Sequence, residues 1–207
     1  MAVQKAPRIT RDDAVRIAAD LYGLNVSAAP LPSERDQNFY CEALPDGRAT
    51  ALALSKSAGR NEQFVLKIAN SEEAFEILEL QNQVIQFLTA SKIDLKFPRI
   101  VPTRAAEEIA TIKGGDGREH FVRLLTWLDG VCFAKAEPHD RQLLSSLGRA
   151  LAQMDAALAE FSHPAAFRSF YWDLRYAASA RESIGLLPQS QRPLVERFFA
   201  PASLVPG

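Results

Sequence analysis

Cysteine is scarce in this sequence, which has only Cys41 and Cys132 among its 207 residues. Two widely separated cysteines are too few for a disulfide framework or a thiolate metal site. We therefore predict that both are small buried hydrophobic residues and that the protein works in a reducing compartment.

The sequence also lacks an excess of charge and a long hydrophobic run. Its 24 lysine and arginine residues balance 25 aspartate and glutamate residues, giving a net charge of -1. This balance gives no electrostatic reason to expect a nucleic acid or an anionic membrane as partner. No stretch approaches the roughly 18 apolar residues that a membrane-spanning helix needs, and no apolar signal segment follows Lys5 and Arg8. With 47% hydrophobic residues, we expect a soluble cytoplasmic protein that binds a small molecule or another protein.

The chain opens with the pattern of a capped amphipathic helix. Thr10 precedes Asp13 and a helical series of apolar residues, and Gly23 marks the end of the series. The pattern then becomes that of strands, with an antiparallel meander of about three strands predicted between Val26 and Ile68. The three segments are Asn38–Leu44, Ala51–Leu54 and Gln63–Ile68.

Helical spacing returns between Ser71 and Ala90, where an apolar face adjoins a face rich in glutamate and glutamine. Two more strands are predicted at Glu108–Ile112 and His120–Leu128, and from Pro138 onward the pattern is helical. We predict an α+β protein that changes from strands to helices near Asp129, with an N-terminal lobe over residues 1–128 and a helical lobe over residues 129–207.

Lys67 is the first candidate functional residue, because it is a lone cation inside the apolar segment Gln63–Ile68. Glu79 follows twelve residues later on the predicted helix, so a lysine–glutamate pair across a sheet–helix interface is geometrically reasonable. The alternative is an edge-strand lysine that extends to solvent and a solvated acidic helix face.

Two backbone features could complete a site around Lys67. The polar segment Leu31–Phe39 predicts a structured loop, which protein-kinase-like enzymes use to cover nucleotide phosphates, although this loop has no glycine. Leu125–Trp127 runs into the lobe boundary, where a kinase hinge would read adenine through main-chain groups. The alternatives are an ordinary polar loop and a core position for Trp127.

An ordered set of motifs then resembles the aminoglycoside phosphotransferase (choline kinase-like) family. The set is Ser33-x-x-Asp36-Gln37-Asn38-Phe39, Val65-Leu66-Lys67-Ile68, Leu78-Glu79-Leu80-Gln81-Asn82, Val122-Arg123-Leu124-Leu125-Thr126-Trp127-Leu128-Asp129-Gly130 and Leu147-Gly148-x-x-Leu151-Ala152-x-Met154-Asp155. It is most similar to the hydroxylysine kinase-like branch and to the phosphotransferase domain that some bacteria fuse to a class III aminotransferase.

The resemblance implies a protein-kinase-like fold, with an antiparallel-sheet N-lobe, one αC-type helix and an incomplete helical C-lobe. It implies that Lys67 binds the α- and β-phosphates of ATP or GTP, bound with Mg²⁺, and that Glu79 holds this lysine. The segment carrying Ser33, Asp36, Gln37, Asn38 and Phe39 would cover the nucleotide. The segment Leu125, Thr126 and Trp127 would pair with adenine.

The family's catalytic loop, His-x-Asp-x-x-x-x-Asn, and its later Mg²⁺-binding Asp have no match in these 207 residues. None of His120, His139 and His163 has an aspartate two positions on, and each is predicted to be a surface or loop histidine. The chain ends at Gly207, where most of the family's helical lobe would still follow. We therefore expect a truncated chain without the Mg²⁺ ligands, which a second polypeptide or a fused domain could complete.

Two functions remain open from the sequence. The first is ATP- or GTP-dependent phosphorylation of a hydroxyl on a small hydroxylated amine or amino-acid-like substrate, with this truncated chain itself inactive. The second is a non-catalytic nucleotide-binding or interaction module.

Overall fold

The structure is a computed structural model that describes residues 6–45, 62–168 and 173–199. Its strands are β1 (Val26–Leu31), β2 (Gln37–Ala43), β3 (Gln63–Ile68), β4 (Ile100–Val101), β5 (Ala110–Lys113) and β6 (Glu119–Thr126). Its α-helices are α1 (Arg11–Tyr22), α2 (Phe75–Ala90), α3 (Arg141–Leu158) and α4 (Arg192–Phe199). Segments of 3₁₀ helix cover Phe133–Lys135, Pro164–Phe167 and Leu174–Leu186.

The strands form an antiparallel sheet in the order β1-β2-β3-β6-β4, with β5 also paired to β6. The described chain divides into two compact units between His163 and Pro164, so the sheet, α1, α2 and α3 belong to the first unit. The lobe boundary predicted at residues 128 and 129 stays a prediction.

The core lies on one face of this sheet, under α1. Alternate residues of β2, β3 and β6 enter it together with Ala14, Ala18 and Tyr22 of α1. These strand residues are Phe39, Cys41, Phe64, Leu66, Ile68, Val122 and Leu124. Because side chains alternate along a strand, the residues between them are directed to the opposite face of the sheet.

The predicted cap of α1 is confirmed. The amide of Asp13 donates to the Thr10 hydroxyl at 3.1 Å, and the amide of Thr10 donates to the Asp13 carboxylate at 2.9 Å. Gly23 ends the helix in the left-handed region, at φ 68°, which glycine adopts without the steric cost of a Cβ.

Two strand predictions need correction or lie outside the described residues. Val26–Leu31 forms β1 although it was not singled out as a strand, because Pro30 and the small residues around it weaken the strand pattern. The predicted strand Ala51–Leu54 lies outside the described residues. The helix predicted from Ser71 begins at Phe75, after a turn at Ser71 and Glu72.

Two further predictions about single side chains were wrong. Cys41 is buried in the core as predicted, but Cys132 is exposed next to the 3₁₀ turn that begins at Phe133. His120 is 1% exposed on β6 rather than a surface residue. Its ring nitrogens lie 2.8 Å from the Ala69 carbonyl and 3.0 Å from the Asp116 carboxylate, which explains how a polar ring is accommodated there.

Candidate functional site

The sheet face opposite α1 carries a polar row beside an apolar one. Asn38, Lys67 and Arg123 are aligned across β2, β3 and β6, because Lys67 pairs with Asn38 on one side and with Arg123 on the other. Tyr40, Val65 and Leu125 form the next row. The Tyr40 ring meets the Trp127 ring edge to face, with centroids 5.0 Å apart. A ligand with an apolar ring and an anionic group would match these two rows.

Lys67 lies in the polar row, partly buried as the lone-cation pattern suggested. Its Nζ donates to Asn38 Oδ1 at 3.4 Å. Burial lowers the pKa of Lys67, the positive charge of Arg123 lowers it further, and the carboxylate of Asp36 partly opposes both effects. An anion bound here would replace the water that the ammonium group has lost.

Arg123 is 3% exposed and connects β6 to α2. Its Nη1 donates to the Leu78 carbonyl at 3.3 Å and to Asn82 Oδ1 at 2.7 Å, and its Nη2 donates to Gln81 Oε1 at 2.5 Å. Three acceptors on one helix therefore fix α2 against the strand next to Lys67.

The structure does not pair Glu79 with Lys67. Glu79 has its side chain 46% exposed, and its Oε2 lies 3.7 Å from His163 Nε2. The physical reason is helical geometry: Leu78 and Asn82 share the face of α2 that meets Arg123, and Glu79 is rotated about 100° from Leu78. The helix residue that reaches the sheet is Asn82, which follows Glu79 by three positions.

The loop between β1 and β2 is held by Asp36. Oδ1 of Asp36 accepts from both the main-chain amide and the side-chain amide of Asn70, each at 3.0 Å. Asn70 is buried and follows Lys67 by three residues. This bond ties the glycine-free loop to the end of β3, while Ser33 is exposed in the loop.

Gln37 and Phe39 do not share the face of Lys67. Gln37 bonds the main chain of Ile9, accepting from its amide at 2.6 Å and donating to its carbonyl at 3.2 Å. Phe39 is 2% exposed in the core under α1. Of the side chains in the predicted nucleotide loop, the structure therefore brings only Asn38 and Asp36 close to Lys67.

The segment predicted as the hinge continues from the end of β6, and two of its main-chain amides already donate hydrogen bonds within the protein. The amide of Thr126 donates to the Arg99 carbonyl and that of Trp127 donates to the Gln63 carbonyl, both at 2.9 Å. In the part of the chain that the structure describes, the next main-chain amide, that of Leu128, has no acceptor. An adenine read at this edge would therefore use Leu128 rather than the amides of Thr126 or Trp127.

The described residues do not fit a resident metal ion. No group of three or more histidine, cysteine, aspartate or glutamate side chains in residues 6–45, 62–168 and 173–199 could hold one.

Sequence reasoning missed Arg123 and Asn70 as parts of the site. Arg123 had a usable signal, because it is a lone cation in the apolar run Val122–Leu125, the same pattern that singled out Lys67. Asn70 had none, since an asparagine after a strand is an ordinary turn residue.

Two solved structures share this arrangement of sheet and helices. One is a microcompartment-associated aminopropanol kinase, with a TM-score of 0.56 and 18% identity over 79% of this chain and 45% of that chain. The other is an amicoumacin kinase in complex with AMP-PNP, Ca²⁺ and Ami, with a TM-score of 0.59 and 16% identity over 92% of this chain and 52% of that chain. The predicted α+β, kinase-like fold is confirmed.

Curated relatives agree with that class. The hydroxylysine kinase of Mus musculus is 32% identical over 93% of this chain and 51% of its own length. The hydroxylysine kinase of Xenopus laevis is 32% identical over 86% of this chain and 49% of its own length. The pattern of the phosphotransferase enzyme family matches residues 41–202. The chain therefore belongs to the phosphotransferase enzyme family, as its motifs predicted.

The chain spans about half the length of the curated relatives it matches. Within the residues that the structure describes, no helix has both the length and the apolar character needed to cross a membrane.

Proposed function

We propose that this chain forms the nucleotide-binding part of a small-molecule kinase. The observation that carries the proposal is the pair of adjacent rows on one sheet face, polar at Asn38, Lys67 and Arg123 and apolar at Tyr40, Val65 and Leu125. The partly desolvated Lys67 ammonium would bind nucleotide phosphates, and the apolar row beside it would contact the base.

The proposed adenine contact is the free amide of Leu128. It lies one residue beyond Trp127, whose ring borders the apolar row. Recognition through main-chain groups needs no particular side chain at position 128, so ATP and GTP both remain within the proposal.

The acceptor proposed for the complete kinase is a hydroxyl of a small amine or amino-acid-like molecule. Support comes from the curated relatives, which are hydroxylysine kinases. Any Mg²⁺ that accompanies the nucleotide would be held by residues outside those that the structure describes. We place the protein in the cytoplasm as part of the same proposal.

A segment completing the helical lobe, in the same or in a second polypeptide, is also part of the proposal. Leu144, Leu147 and Leu151 form an apolar stripe on α3, yet each is exposed in the described structure. Such a stripe is normally covered in a folded protein. Relatives twice as long contain the length of chain needed to cover it.

The non-catalytic alternative rests on a specific observation. These 207 residues contain no match to His-x-Asp-x-x-x-x-Asn, so nucleotide binding without phosphoryl transfer is what this chain alone could perform.

The test is calorimetric titration of the chain with ATP, GTP and adenosine, comparing wild type with Leu128→Pro and Leu128→Ala. Proline removes the amide, so we expect Leu128→Pro to weaken binding of all three about tenfold, the loss of roughly one buried hydrogen bond. Leu128→Ala keeps the amide and should retain most of the affinity. Equal losses in the two variants would contradict the hinge contact, and no binding by wild type would contradict the proposed function.

A further inference from the structure

Arg123 is the buried charged group whose role the proposed function leaves open. It lies directly opposite Lys67 in the pairing of β3 with β6. Directly opposite residues on one sheet face have Cβ atoms about 5 Å apart. Two cationic side chains therefore stand side by side, one of them 3% exposed.

The atoms bonded to these two cations are all uncharged. Arg123 donates to a main-chain carbonyl and to the amide oxygens of Gln81 and Asn82. Lys67 donates to the amide oxygen of Asn38. Among the described residues no carboxylate forms an ion pair with either cation, although Asp36 acts on both, and Glu73 acts on Arg123, at longer range.

Burying two like charges without a bonded anion is unfavourable. The cost falls when an anion binds near both charges, and it falls more as the anion carries more charge. Arg123 is almost fully buried, and its Nη1 already donates to two acceptors, so it does not contact a ligand directly. It acts instead through the electric field of its charge and by holding α2 in place.

We propose that Arg123 is a positioning residue that gives the Lys67 site a second positive charge and makes it selective for a polyphosphate over a nucleoside. This rests on the proposed function and deepens it, since it concerns the ligand of the same sheet face. Lys67 contacts the phosphates, and Arg123 strengthens the attraction from the neighbouring strand β6.

The test measures dissociation constants for ATP, ADP and adenosine at one fixed salt concentration. The proteins are wild type, Arg123→Met, Arg123→Lys and the matched control Arg11→Met, which removes an exposed arginine at the start of α1. We expect Arg123→Met to weaken ATP binding about tenfold, ADP binding less, and adenosine binding less than about twofold. Arg123→Lys should keep most of the ATP preference because it keeps the charge, and Arg11→Met should match wild type.

Three results would overturn the proposal. If Arg123→Met weakens adenosine and ATP binding equally, or leaves both unchanged, Arg123 adds no attraction for phosphate. If Arg123→Lys loses as much ATP preference as Arg123→Met, the preference depends on the planar guanidinium group and not on the positive charge.

A second variant decides the matter if Arg123→Met does not fold. Lys67 is partly exposed, so Lys67→Ala should fold, and it leaves Arg123 as the remaining cation of the pair. A residual preference of about tenfold for ATP over adenosine supports the proposal, and an equal affinity for the two overturns it.

Inorganic tripolyphosphate separates this inference from the proposed function. A chain that binds tripolyphosphate but no nucleotide contradicts the proposed function and leaves the polyanion site standing. A chain that binds neither overturns both.

Discussion

Lys67, the proposed phosphate-binding residue, has a lowered pKa, which shows that the folded chain holds its charge at an energetic cost. Burial first, and then the neighbouring charge of Arg123, lower its pKa from the ordinary lysine value of 10.5. Its hydrogen-bond acceptor is the neutral side chain of Asn38. The folded chain therefore holds this ammonium less favourably than water does, and binding an anion would remove that cost.

The sign of the pH effect follows from the lowered pKa. Between the folded-state pKa of Lys67 and 10.5, the unfolded chain binds more protons than the folded one, so the contribution of Lys67 to stability rises with pH. Burial also raises the pKa of Cys41 to about 11 and raises that of Tyr22. Those two groups act in the opposite direction at high pH, so only a comparison with a Lys67 variant isolates the lysine.

We predict that Lys67→Met raises Tm by about 2 °C at pH 7, because it removes a partly buried charge. The advantage over wild type should shrink as the pH approaches 10.5. Thermal unfolding of both proteins across this pH range is the measurement. Lys113→Met, an exposed lysine of β5, is the matched control and should change Tm little at any pH. An advantage for Lys67→Met that grows with pH would contradict the assignment.

At the scale of single elements, the sequence predicts those helices and strands whose formation depends on residues close together in the chain. Thr10 and Asp13 satisfy each other's amides, and Gly23 ends α1, so this helix could be predicted from residues close in sequence. The same holds for β3 and β6, whose apolar runs are each interrupted by a single cation, Lys67 in β3 and Arg123 in β6. Strand β1 could not be predicted, because its pairing with β2 outweighs the weak strand pattern around Pro30.

The candidate site depended on contacts that sequence spacing does not specify. Lys67 could be predicted as a buried cation, but its neighbour Arg123 is set by the register of β3 against β6, which lie more than fifty residues apart. The sequence predicts a contact between Glu79 and Lys67 because Glu79 follows twelve residues later on the next helix and the family resemblance implies the pair. The rotation of α2 instead directs Asn82 to the sheet.

The capping box of α1 provides a test at this scale. We predict that Thr10→Ala lowers the free energy of unfolding by about 1 kcal/mol, because the Asp13 amide loses its acceptor at a helix end. Thr10→Ser keeps the hydroxyl and should lose only a small part of that amount. Urea unfolding of the three proteins measures the difference.

Nucleotide affinity distinguishes this effect from damage to the site. Helix α1 packs on the sheet face opposite Lys67, so ATP binding by folded Thr10→Ala should match wild type. A change in affinity without a change in stability would contradict the described packing.

At the scale of the whole molecule, the described residues form the proposed binding face, and the sequence has no match to the family's catalytic loop. We predict that the 207-residue chain, given ATP, Mg²⁺ and 5-hydroxylysine, forms no phosphorylated product above a no-protein control, because the positioning base and metal ligands account for most of the rate. Mass spectrometry of the amino acid measures the product. Turnover that Lys67→Ala abolishes would show that catalytic groups lie within these residues.

Pro30 has a consequence for how this molecule behaves at high concentration. It lies opposite Phe39 in β1, which is one of the outer strands of the described sheet. An outer strand offers unpaired main-chain groups to any extended peptide that approaches, and proline withdraws one of the donors that such a peptide would need. The edge of the sheet formed by β1 is therefore a poor template for the addition of a strand from a second molecule.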